Sequence, residues 1–145
     1  MFYRFFLMVT LCVCIFFSNI SCTPTKTPQD KLYDEVMEIH DEVMPEMSTI
    51  HRLRKALKTV DTLAVPTIDA RTISRHRRAL DQADEAMMSW MAEFQNPSDD
   101  SPTEEVMVYL NNEKKAIIQV RDSMMNSIKA TSDLLERVKS NPTKN

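Results

Sequence analysis

The chain has 145 residues, a formal net charge of −3, three cysteines and no glycine. At the average usage of about 7%, roughly ten glycines would be expected. Their absence excludes a phosphate-cradling loop and a dinucleotide fingerprint, and removes the favoured residue of tight hairpins. Leu, Met, Glu, Lys, Arg and Ala dominate instead, all good helix formers, and the composition predicts an all-α protein.

The N-terminal segment carries one basic residue, Arg4, and then an uncharged apolar run from Phe5 to Phe17. A bilayer span needs about 20 such residues, whereas the core of a secretory signal needs ~7–15, so the run predicts an export signal. Cys22 closes this region after Asn19-Ile20-Ser21, and a small residue before a cysteine at that place resembles the lipobox of bacterial lipoproteins. The resemblance implies cleavage after residue 21 and a diacylglycerol thioether on Cys22; Asn19 departs from the usual aliphatic residue. Cys12 and Cys14 follow Leu11 and Val13 and fit that chemistry less well. One cysteine then remains in the mature chain, which can form no internal disulfide, so its fold must rest on apolar burial. Residues 22–27 are polar and contain Pro24, and read as a short tether.

Two helix starts are marked next. Thr27-Pro28-Gln29-Asp30 places a capping hydroxyl before a proline, and Ser101-Pro102-Thr103-Glu104 repeats the device as an S-x-x-E box. The first helix is predicted over 28–60, with Leu32, Val36, Ile39, Val43, Ile50, Leu53, Leu57 and Val60 on its inner face and a kink at Pro45. The second, over 68–94, places Ile73, His76, Leu80, Ala83, Met87, Trp90 and Phe94 at unbroken three- and four-residue steps. The third, over 102–139, carries Val106, Leu110, Ile117, Val120, Met124, Ile128, Leu134 and Val138. Residues 140–145 form a polar tail. Short connections make neighbours antiparallel, so the prediction is an elongated, coiled-coil-like, up-down-up three-helix bundle.

That topology gathers charge at two poles. Residues 51–78 hold eight basic side chains against two acidic ones, while residues 79–105 hold eight acidic and no basic ones. Helix dipoles favour acids at helix starts and bases at helix ends. The second helix reverses this, with Arg71, Arg75, Arg77 and Arg78 early and Asp81, Asp84, Glu85 and Glu93 late. The expectation is a basic pole far from the lipid, with Arg54, Lys55, Lys58, Arg71, Arg75 and Arg78 meeting an anionic envelope polymer or protein.

Met37, His40, Met44, Met47 and His51 fall on one line of the first helix, and thioether with imidazole suits soft metals. The alternative reading is therefore a periplasmic copper binder. Methionines beside an aliphatic stripe also fill core gaps, and His76 at a core position reads as a hydrogen-bonded buried histidine. No catalytic constellation is present: His40-Asp41-Glu42-Val43-Met44 is not H-E-x-x-H, and no nucleophile turn exposes a serine. Acidic net charge and aromatics at core spacing argue against nucleic acid.

Three segments carry a family likeness: VMEIHDEVMPEM (Val36 to Met47), WMAEF (Trp90 to Phe94) and YLNNEKKAIIQVRDSMMNSI (Tyr109 to Ile128). Together they resemble small lipoproteins of Bacteroidota labelled "viral A-type inclusion protein", a label inherited from coiled-coil similarity. The resemblance implies a helical protein anchored in the bacterial cell envelope, at the outer membrane or facing the periplasm, with no cofactor beyond the lipid on Cys22 and no assigned chemistry.

Overall fold

A computed structural model describes residues 26–62, 68–98 and 100–140. The predicted signal over 1–21, Cys22, the first part of the predicted tether and the predicted tail beyond residue 140 lie outside the described residues. Among the described residues there is no strand, and four helical segments follow one another: α1 (Pro28–Val43), α2 (Glu46–Thr62), α3 (Ala70–Glu93) and α4 (Thr103–Ser140). The fold is an all-α bundle.

The start of α1 is closed on both sides. Thr27 Oγ1 accepts the Asp30 N–H at 3.1 Å, and Asp30 Oδ2 accepts the Thr27 N–H at 2.8 Å, a reciprocal capping box. Those bonds hold the Asp30 carboxyl below its ordinary range. At α4 the expected Ser101 cap is corrected by one residue. The Pro102 carbonyl accepts the first helical bond, from Val106 at 3.1 Å, and the Ser101 N–H instead closes a turn onto Ser98.

The first predicted helix is two segments. Pro45 has no N–H to give the Asp41 carbonyl, so the ladder stops and tightens: Met47 donates to Met44 and Ser48 to Pro45, both at 3.2 Å. The Ser48 hydroxyl adds a bond to the Pro45 carbonyl at 2.8 Å. Met44 keeps right-handed helical angles, φ −54° and ψ −41°, so the chain continues instead of turning back, and both α1 and α2 pack on α4.

Contacts between helices fix their directions. Leu32 near the start of α1 packs with Val106 and Leu110 near the start of α4, and Lys114 bonds Glu35, so these helices run parallel. Phe94 at the end of α3 meets Tyr33 and Tyr109 at ring distances of 6.1 Å, while His76 near its start meets Thr131. The α3 helix therefore runs against both, giving the up-down-up arrangement. At about 1.5 Å per residue, the 38-residue α4 is roughly 57 Å long and forms the backbone of the rod.

The core follows the predicted stripes, with Ile39, Val60, His76 and Phe94 only partly buried and a shift of face on α4. On α4, Ser127, Thr131 and Leu135 are buried, whereas Ile128 and Val138 are only partly so. The 3-4 rhythm from Val120 and Met124 continues through Ser127, Thr131 and Leu134, and the two hydroxyls tolerate burial because each has a partner. Ser127 Oγ donates to the Met124 carbonyl at 2.8 Å and Thr131 meets His76. No described helix is long and apolar enough to cross a membrane.

Candidate functional site

The start of α3 is built on Asp69, the N-cap. Its carboxylate accepts the Thr72 N–H at 2.7 Å and the Thr72 hydroxyl at 3.1 Å. The Thr72 bonds lead, and the Arg71 charge adds to them, in lowering its pKa. Asp69 thus puts one negative charge where the dipole favours it, partly offsetting the arginines that follow. Arg71, Arg75, Arg77 and Arg78 are all exposed. Among the described residues none of the four comes within ion-pair distance of a carboxylate.

The end of α4 reaches the same place. His76, half-buried, is held out of its protonated form by burial first and then by the positive charges of Arg137 and Arg75. A guanidinium from each of two helices therefore acts on one imidazole. The six residues expected to meet an anionic partner do not include Arg137, yet the antiparallel register that sets His76 beside Thr131 also carries Arg137, six residues further on, to the start of α3.

The contribution of α2 differs from expectation. Arg54 leans onto α3, with Nε 2.7 Å from Asp81 Oδ1 and a guanidinium nitrogen 3.3 Å from Asp84 Oδ2. His51 Nε2 lies 3.8 Å from the other Asp84 oxygen. The Oδ1 atoms of Asp81 and Asp84 are buried without a well-aligned hydrogen bond, so the cluster is held by the Arg54 bond to Asp84 Oδ2 and otherwise by charge proximity. Arg54 is thus occupied within the molecule, while Lys55 and Lys58 are exposed on the adjoining surface. Of the six predicted pole residues, Arg71, Arg75 and Arg78 stand together on α3 and Arg54 is turned away to the acids.

The methionine–histidine line is divided by the break at Pro45. Met44 and Met47 pack against the core, and Met37 is half-buried. The His40 ring lies 5.6 Å from that of Trp90, and its Nδ1 is 2.9 Å from Asp41. Among the described residues no three His, Cys, Asp or Glu side chains are arranged to hold a metal ion.

At the opposite end, Trp90, Phe94, Tyr33 and Tyr109 form an aromatic cluster, with Trp90 and Phe94 only 4.9 Å apart. Tyr109 accepts the Gln95 N–H at 2.8 Å, and burial raises its pKa. A groove of about 420 Å³ opens beside it, lined by Asp30, Tyr33, Asn96, Ser98 and Val106. Its one carboxylate is already engaged in capping α1.

No family model, curated protein or solved structure matches the chain.

Proposed function

We propose that this chain is an exported lipoprotein, anchored through Cys22, whose helical rod is a non-catalytic binding or scaffold module of the bacterial envelope. The likeness to small Bacteroidota lipoproteins and the signal-like run ending at Ser21-Cys22 support the anchor. The basic end formed by α3 and α4 is the docking surface, and it takes an anionic partner. One observation carries this: four exposed arginines at the start of α3 have no carboxylate partner among the described residues, and Arg137 converges on the same end from α4.

Gathering like charge costs stability unless something opposite meets it, and exposed charges attract such a partner over a distance set by salt screening. Replacing Arg71, Arg75 and Arg78 with Glu should abolish capture of the native partner after crosslinking in cells, with the helical circular dichroism unchanged. Wild-type capture should weaken steeply with salt. Unaltered partners in the triple variant, or indifference to salt, would refute the docking surface.

A further inference from the structure

We infer that the outer face of α3 is self-complementary and pairs, antiparallel, with the same face of a second copy of this chain. Arg71, Arg75, Arg78, Gln82, Glu85 and Glu93 are all exposed. At about 100° per residue they fall in one sector of roughly 80°, on the side of the helix away from Leu80, Ala83 and Met87. Along that line the sign of charge changes once, at Gln82: three cations lie on its N-terminal side and two anions on its C-terminal side.

A two-fold axis through Gln82 exchanges these halves. Arg71 and Glu93 each lie eleven residues from Gln82, about 16.5 Å along the helix, so each faces the other across the axis. Arg78 and Glu85 lie four and three residues away, a mismatch of about 1.5 Å that a long side chain absorbs. A C2 interface uses one patch twice, so both pairs form twice. Among the described residues Arg71, Arg78, Glu85 and Glu93 have no ion-pair partner inside the molecule.

This arrangement also accounts for the unusual charge order of α3, whose first turn has no acid and whose last turn has no base. In an antiparallel pair each basic helix start lies beside the acidic end of its neighbour, which opposes the unfavourable dipole term in both copies. A long polyanion fits the face less well, because Glu85 and Glu93 would repel it beyond Gln82. Exposed ion pairs are individually weak, so the association is weak in dilute solution and gains where many copies are held facing one another. In such a pair the two Pro28 starts of α1 lie at opposite ends, which suits copies anchored on facing membranes.

The inference rests on the basic end of α3 being a docking surface and names a second copy as its occupant. Its test is sedimentation velocity on the full chain in detergent at low ionic strength, with two charge reversals. Arg71→Glu with Arg78→Glu makes the line almost wholly acidic, and Glu85→Arg with Glu93→Arg makes it wholly basic. Each variant should lose the wild-type dimer, their equimolar mixture should form a heterodimer tighter than wild type, and added salt should dissociate it. A wild-type chain that stays monomeric, a variant that dimerises as wild type does, or a mixture that fails to associate would overturn the inference. The two readings separate in cells: partner capture kept by Glu85→Arg with Glu93→Arg, alongside a monomeric wild type, leaves an anionic partner and removes self-pairing. Capture indifferent to the arginine reversals removes the docking surface itself.

Discussion

Nδ1 of His76 on α3 lies 3.3 Å from the hydroxyl of Thr131, which is wholly buried on α4. Burial and the charges of Arg137 and Arg75 lower the pKa of His76 below its ordinary 6.5. The unfolded chain therefore binds a proton at a higher pH than the folded one, and stability is full above about 6.5 and falls as pH drops through that value. The midpoint of thermal unfolding should decline between about pH 7 and pH 5, and His76→Gln should flatten that slope. An unchanged slope would show that His76 is not the group responsible. The lowered carboxyls of Asp30 and Asp69 act in a separate window, since their contribution is lost only on falling through their ordinary value of 3.8 and below.

Trp90 is 7% exposed, yet its indole Nε1 is buried with no hydrogen-bond partner. Trp90→Phe keeps most of the ring contact with Phe94 and removes a donor whose desolvation costs about 1–3 kcal/mol, so denaturant unfolding should show little loss or a gain. Trp90→Ala should cost about 3–5 kcal/mol through lost burial and the cavity left behind.

Arg54 and the α3 arginines should differ in their sensitivity to charge reversal. Arg54→Glu would set a third carboxylate against Asp81 and Asp84, whose paired oxygens are partly buried, and should destabilise by about 1 kcal/mol or more after allowance for solvent screening. Arg78→Glu, at an exposed position without an ion-pair partner among the described residues, should stay within about 0.5 kcal/mol in chemical unfolding.

Asp69→Ala removes two bonds that hold Thr72 and leaves the first turn of α3 with no nearby acid. The expected loss is about 1 kcal/mol, at the upper end of the usual range if the arginines depend on Asp69 for local charge balance. Asp69→Asn keeps a capping acceptor without the charge, so the difference between the two variants measures the electrostatic part.

Cys22→Ser should abolish metabolic acyl labelling and release the chain from membranes. Labelling that persists in this variant would rule out Cys22 as the modified residue.

The main lines of this architecture could be read from the chain because they depend on local chemistry. A lack of glycine, strong helix formers throughout and apolar steps of three and four residues leave few alternatives to packed helices, and the Thr27-Pro28 start sets where the first one begins. Pro45 announced a disturbance through its missing donor; whether it bent the helix or ended it depended on how Met44, Ser48 and the surface of α4 settled around it. Ser127 and Thr131 were hidden because hydroxyls read as polar until a partner is found, and the partner of Thr131 lies 55 residues away. The sequence by itself determined which charges each helix carries and in what order. Only the tertiary structure decided which of them are left for a partner: packing α2 on α3 spends Arg54 on Asp81 and Asp84, while the same packing leaves Arg71, Arg75 and Arg78 on the outer side. The physical reason is range, since ion pairing needs contact within about 4 Å, and such distances between helices are fixed by burial of their apolar faces, not by neighbours along the chain.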